Sequence, residues 1–105
     1  MIISFSADIP LYLYWVQRSM DLKQRILRLV EEAPQLNKAA FYSDPVVMAL
    51  VENLHERWQR AGYEGEPIDY ATSEELERLY ELAEYYISLP PWKAYRILRE
   101  RGGQA

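Results

Sequence analysis

The sequence contains no cysteine, a single histidine and only four glycines among its 105 residues. Without cysteine the chain cannot form disulfides, use a thiol nucleophile or hold iron–sulfur or cysteine-ligated zinc centres. No glycine lies in a phosphate-binding motif, since neither the dinucleotide fingerprint nor the P-loop pattern occurs. A serine nucleophile elbow and a Ser-x-x-Lys motif are also missing. We therefore expect a protein that is not an enzyme and that carries no cofactor or metal.

Long apolar runs are missing as well. No stretch approaches the roughly 20 apolar residues that span a bilayer. The apolar segment 1–6 is too short for the core of a signal peptide and has no basic residue before it. We therefore expect no membrane contact and a cytoplasmic location. Hydrophobic residues make up 50% of the chain, which is enough to fill the core of one domain spanning residues 1–105.

Apolar residues recur every three to four positions in three long segments, which predicts three amphipathic helices. The first is expected over about 11–32, where Pro34 ends it, and the second from Asp44-Pro45 to about 61. The third begins at a capping box from Thr72 to Glu75 and ends before the proline pair 90–91. The predicted core stripes are Trp15, Leu22, Ile26, Leu29, Val30 and Ala33, with Val16, Met20 and Leu27 extending that face; Val47, Leu50, Val51, Leu54, Trp58 and Ala61; Leu76, Leu79, Tyr80, Ala83, Tyr86 and Ile87.

The remaining segments are shorter. Residues 1–9 are expected to form an extended arm, 35–42 a connector with room for one helical turn, 62–71 a loop, and about 91–101 a short fourth helix. The predicted fold is all-α: a compact bundle of three main helices plus a short C-terminal helix, with an extended N-terminal arm.

The third predicted helix carries apolar residues on a second face, formed by Leu82, Tyr85 and Leu89. Contiguous apolar surface of this kind is typical of protein-binding sites. The alternative is that another segment of the same chain covers this face, because helices that are apolar all round are usually buried.

The same helix carries a stripe of four glutamates, for which a solvated face is the favoured interpretation. Docking of a basic partner and mimicry of nucleic-acid charge are alternatives. A metal site is disfavoured, because the Glu-x-x-His pair of di-metal bundles occurs once only, at Glu52 and His55. The four glutamates are Glu74, Glu77, Glu81 and Glu84.

The C-terminal helix is basic, although the whole chain has a net charge of −4. Residues 43–91 carry three bases and eleven acids, whereas residues 92–105 carry four bases and one acid. Cations beside an aromatic ring suit phosphate contact and base stacking. They also suit the negative end of a helix dipole or pairing with the acidic stripe. The residues concerned are Trp92, Lys93, Arg96 and Arg99.

From these patterns we predict a non-enzymatic interaction or assembly protein, in the class of accessory proteins that phages and other mobile elements often encode. Its partner is expected to be another protein or a second copy of the chain, bound through Leu82, Tyr85 and Leu89. The alternative is a small nucleic-acid-binding regulator that uses the basic C-terminal helix.

Overall fold

A computed structural model describes the backbone of residues 11–102 and the side chains of residues 21–102. This part of the chain is helical and contains no strand, so the prediction of an all-α protein is confirmed. The predicted arm at residues 1–9 and the side chains of Trp15, Val16 and Met20 lie outside the described residues. The α-helices are α1 (Leu11–Glu32), α2 (Gln35–Tyr42), α3 (Pro45–Arg60), α4 (Ser73–Ile87) and α5 (Pro91–Gly102), with a 3-10 helix at Pro67–Tyr70.

Two helix starts form as the sequence signals indicate. The Asp44 carboxylate accepts hydrogen bonds from the backbone amides of Val46 and Val47, at 2.8 and 3.2 Å, and Pro45 follows in the first turn of α3. Thr72 accepts from the Glu75 amide at 3.2 Å, while the Glu75 side chain accepts from the Thr72 amide at 2.9 Å. Each cap satisfies amides that have no partner within the helix itself.

Two segments that were expected to be irregular are more helical than predicted. The connector at 35–42 is the complete helix α2. The loop at 62–71 contains the 3-10 helix, where the Glu66 amide donates to the Asp69 carboxylate at 2.8 Å and the Tyr70 hydroxyl donates to the Glu64 carbonyl at 2.6 Å. These side-chain contacts hold a turn that hydrophobic periodicity does not reveal. Gly62, with φ of 81°, ends α3 as expected.

The core forms around α4, which packs against α1 and α2, while α2 also packs against α5 and α3 packs against the 3-10 helix. Some predicted core positions are less buried than expected: Leu27 is 39% exposed, Ala61 is exposed and Trp58 is half-buried. The buried apolar residues are Leu22, Ile26, Val30, Ala40, Phe41, Val47, Leu54, Leu76, Leu79, Ala83, Tyr86 and Ala94.

No helix within residues 11–102 combines the length and the apolar character that crossing a bilayer would require.

Candidate functional site

Helix α5 has two faces of different chemistry. Ala94 is fully buried, and Ile97 and Leu98 are half-buried against the core. The opposite face points outward and carries two large aromatic rings, since Trp92 is 63% and Tyr95 is 58% exposed. We define the α5 stripe as the four exposed residues Trp92, Tyr95, Arg96 and Arg99.

The α5 stripe follows the spacing i, i+3, i+4 and i+7, so its side chains share one face of the helix. Lys93 is also exposed and lies at the edge of this face, beside Arg96. From Trp92 to Arg99 the helix rises by about 10 Å. The sequence prediction included Trp92, Lys93, Arg96 and Arg99 but missed Tyr95, which the i+3 spacing from Trp92 could have revealed.

The side chains of the α5 stripe make no hydrogen bond, ion pair or ring contact with any residue whose side chain is described. Other cations do have partners there. Arg57 makes a two-point contact with Glu75, at 2.7 and 2.8 Å, and Lys23 pairs with Asp69. No described side chain therefore uses the hydrogen-bonding capacity of the stripe's cations, which suits them to contact another molecule.

The inner face of α5 is anchored by a polar cluster around Tyr86. Arg101 donates to the Tyr86 hydroxyl and to the Ser43 hydroxyl, each at 2.9 Å. Tyr86 in turn donates to the Asp44 carboxylate, the same group that caps α3. The C-terminal turn of α5, the start of α3 and the end of α4 are thereby joined, which fixes the orientation of the α5 stripe.

The electrostatics of this cluster favour a charged Asp44. Burial would raise the pKa of Asp44, but the hydrogen bonds from Tyr86 and from the two backbone amides, together with the Arg101 charge, lower it overall. Burial and the hydrogen bond to the Asp44 carboxylate raise the pKa of Tyr86. Tyr86 thus stays protonated and donates, while Asp44 stays ionised and accepts.

Asn37 is a second buried polar group, only 2% exposed. Its amide nitrogen donates to the backbone carbonyls of Tyr86 and Leu89, at 2.8 and 2.9 Å. These carbonyls lie at the end of α4 and just beyond it, where a helix lacks internal partners. Asn37 therefore joins α2 to the end of α4. Sequence analysis missed it, because a polar residue in a short connector gives no signal of burial.

The predicted partner surface on α4 is divided. Leu82 and Leu89 are half-buried and pack against the core, whereas Tyr85 is 50% exposed. The Tyr85 ring contacts the edge of the Tyr86 ring, with centroids 5.0 Å apart. Most of the free surface here therefore belongs to Tyr85, and partner binding by the three residues stays a prediction.

The acidic stripe of α4 borders an open groove between α4 and α1, with a volume of about 730 Å³. Tyr80 lies in it, donates to the Glu84 carboxylate at 2.9 Å, and has the Arg25 guanidinium 5.7 Å from its ring centre. We call this concavity the α1–α4 groove. Its lining carries Glu77, Tyr80, Glu81 and Glu84 on the α4 wall and Asp21, Leu22, Gln24, Arg25 and Arg28 on the α1 wall.

A smaller apolar concavity of about 310 Å³ lies above the core, between α1, α3 and the 3-10 helix. Its base includes the buried residues Ile26 and Leu54, and its rim includes Leu27 and Tyr42, which is 48% exposed. His55 also lies at the rim. The concavity is a shallow extension of the core surface.

His55 is exposed, and its Nδ1 lies 3.0 Å from the Val51 carbonyl. Because a carbonyl only accepts, Nδ1 is the donor in this contact. In the part of the chain that the structure describes, no three potential metal ligands of the His, Cys, Asp or Glu type lie together.

The α5 stripe thus presents exposed aromatic and cationic side chains on one helix face, held in place by buried polar contacts on its inner side. No family model matches this sequence, and no curated protein or solved structure is significantly similar to it.

Proposed function

We propose that the protein acts without catalysis, by binding another protein through the α5 stripe. The observation that carries this proposal is the exposure of Trp92 and Tyr95, at 63% and 58%, beside two arginines without partners among the described side chains. Trp, Tyr and Arg are the residue types that most often dominate the energetics of protein interfaces.

The spacing of the α5 stripe supports the same function. An exposed helix that binds in the groove of a partner presents anchors at i, i+3, i+4 and i+7, which is the pattern of Trp92, Tyr95, Arg96 and Arg99. Rings such as Trp and Tyr lose little conformational entropy when a partner covers them. The anchoring of Arg101 on the inner face supports binding further, because it holds the helix in place before the partner arrives.

The titratable groups with a shifted pKa also have structural explanations. The hydrogen bond from Arg57 lowers the pKa of Glu75 to about 2, and the hydrogen bond from Lys23 lowers the pKa of Asp69. Both carboxylates also accept backbone hydrogen bonds at helix starts. These groups stabilise the fold, and their arrangement supports a binding role over a chemical one.

The test compares three forms of the protein in cross-linking and affinity capture from the cells that naturally produce it. They are the wild type, a Trp92→Ala/Arg96→Ala variant, and a control variant altered elsewhere on the surface, Met48→Ser/Arg60→Ala. Met48 is 56% exposed and Arg60 is exposed, so the control removes one large apolar side chain and one cation from α3.

We expect the wild type and the control to capture the same protein and the stripe variant to lose it by at least tenfold. Circular dichroism must show equal helix content in all three. Equal capture by the stripe variant and the wild type would refute the proposed surface.

Nucleic-acid binding is a second candidate, favoured by one observation. Lys93, Arg96 and Arg99 are all exposed beside Trp92, and none of these cations pairs with another described residue. Such an arrangement can contact phosphates and stack a base. The eleven acids of residues 43–91 oppose it by repelling phosphate.

A direct titration at low salt tests the nucleic-acid candidate. Phosphate contacts release counterions, so nucleic-acid affinity falls steeply between about 50 and 200 mM salt. Titration of the protein with a single-stranded oligothymidine, followed by Trp92 fluorescence, measures this. The double variant Trp15→Phe/Trp58→Phe assigns the signal to Trp92. Absence of binding at 50 mM salt would eliminate the nucleic-acid candidate.

A further inference from the structure

We infer that the partner of the α5 stripe is a second copy of this chain, which receives the stripe in its α1–α4 groove. This inference rests on the proposed function, because it takes the α5 stripe as the contact surface and adds the identity of the partner. The two surfaces belong to different parts of the molecule, so the contact is head-to-tail.

Shape and charge both favour this pairing. The α5 stripe is the convex face of a helix, and the α1–α4 groove is a concavity of about 730 Å³ between two helices. Its α4 wall carries three carboxylates, those of Glu77, Glu81 and Glu84. Lys93 and Arg96 lie together at one edge of the exposed face of α5. When the edge with Lys93 and Arg96 faces the α4 wall, these cations lie opposite the carboxylates of that wall.

The α1 wall of the groove matches the other edge of the stripe. This wall carries Arg25 and Arg28, which would repel a purely cationic helix. With Lys93 and Arg96 turned toward α4, Tyr95 is turned toward α1. Arginines pack favourably on aromatic rings, as Arg25 already does on the ring of Tyr80.

The described lining of the groove has an excess of negative charge. Among these residues, four carboxylates stand against two guanidinium groups, the fourth acid being Asp21 on α1. A helix with a net positive exposed face is therefore attracted overall, and the attraction is expected to weaken as salt screens it.

The size of the contact predicts a weak association. The stripe extends over about 10 Å of helix, so the buried area falls at the low end of specific interfaces, below about 1,200 Å². Dissociation constants in the micromolar range are expected for such contacts. Because each molecule has both a stripe and a groove, association continues to chains or rings and does not stop at a dimer.

Sedimentation velocity between 10 and 500 µM, in 50 and 500 mM NaCl, tests the inference. At low salt we expect the sedimentation coefficient to increase with protein concentration. At high salt the association constant should be at least tenfold lower. Two charge-reversal variants then address each side separately: Arg96→Glu/Arg99→Glu on the stripe and Glu81→Arg/Glu84→Arg on the groove. All four residues are exposed, so circular dichroism should show unchanged folding.

The decisive measurement is the mixture of the two variants. Each variant alone should be monomeric, because one side of its contact is reversed. In the mixture, the intact stripe of the groove variant meets the intact groove of the stripe variant. One such contact forms, and the two reversed surfaces, now an acidic stripe and a basic groove, also attract each other. The mixture should therefore associate into heterodimers and larger alternating assemblies, which neither variant forms alone.

A monomeric wild type at 500 µM in low salt would overturn the inference. A mixture that stays monomeric while the wild type associates would also overturn it, since that places the self-contact elsewhere. Neither result alters the capture experiment with Trp92→Ala/Arg96→Ala. Failure of self-association is therefore distinguishable from failure of the α5 stripe as a contact surface.

Discussion

Replacing Asn37 with alanine should destabilise the protein strongly, although the residue is small and lies in the shortest of the five α-helices described. Its side-chain amide donates to two backbone carbonyls at 2.8 and 2.9 Å, with a third contact to Ile87 at 3.4 Å. Alanine removes these bonds, and the Tyr86 carbonyl then keeps only the 3.4 Å contact from the Leu89 amide.

The magnitude follows from these contacts. Loss of the donor costs ~1 kcal/mol at a carbonyl that water can reach, and ~1–3 kcal/mol at one that stays buried. Water can reach the carbonyl of half-buried Leu89, whereas Tyr86 is buried. We therefore expect a loss of about 2–4 kcal/mol in the free energy of unfolding. For a domain of this size that corresponds to a fall in Tm of roughly 10–20 °C.

Urea and thermal unfolding, followed by circular dichroism at 222 nm, measure the change. The matched control is Asn53→Ala, because Asn53 is an exposed asparagine within α3. It reports the gain in helix propensity alone, which is a few tenths of a kcal/mol. Asn37→Asp should be no better than Asn37→Ala, since a carboxylate cannot donate to carbonyls. A loss below about 1 kcal/mol relative to the control would refute the assigned role of Asn37.

Three further predictions concern the other polar contacts. Because the hydrogen bond from Arg57 lowers the pKa of Glu75 from 4.5 to about 2, the stabilisation by this pair is complete above pH 4.5 and is lost as the pH falls through 2. The stability difference between wild type and Glu75→Gln should therefore shrink from pH 6 to pH 2 in urea titrations, and a constant difference would contradict this. Tyr86→Phe should cost about 1–3 kcal/mol at pH 7 by chemical denaturation, since it removes one hydroxyl that bonds two charged groups; an unchanged midpoint would show that the cluster adds nothing to stability. Trp58→Ala should lower the free energy of unfolding by about 2 kcal/mol, measured by thermal unfolding. A fully buried tryptophan would cost ~3–5 kcal/mol, but this ring is half-buried, with its Nε1 donating to the Gly65 carbonyl at 3.0 Å. A loss above 4 kcal/mol would place Trp58 in the core.

Helices α1, α3 and α4 could be predicted because the residues that begin or end them are close together in the sequence. Pro34 ends one helix, Asp44-Pro45 begins the next, and Thr72 with Glu75 begins α4, each through contacts within four residues. Periodicity likewise indicates which face is apolar. Helix-end residues and apolar periodicity both involve neighbouring positions of the chain, so a single sequence is enough to detect them.

Contacts between distant residues could not be predicted in this way. Asn37 and Tyr86 are 49 positions apart, and Arg101 and Ser43 are 58 apart. No periodic pattern indicates which donor meets which acceptor over such separations. The same limit applies to Trp58, where spacing predicts a core position but the ring is half-buried and its Nε1 donates to the Gly65 carbonyl.

The cations of the C-terminal helix fall into two groups, which only the three-dimensional contacts distinguish. The sequence alone shows that Lys93, Arg96 and Arg99 lie on a helix, but it leaves open whether the acidic stripe of α4 pairs with them. The structure answers this: Arg101 turns inward to Tyr86, while the other three cations face outward without partners among the described residues. The cations of this basic segment therefore have two roles. One points inward and fixes the helix, and the others point outward and are proposed to bind a partner. Net charge cannot separate those roles, because each cation adds equally to it, and only the placement of Ala94, Ile97 and Leu98 against the core determines which cations face outward.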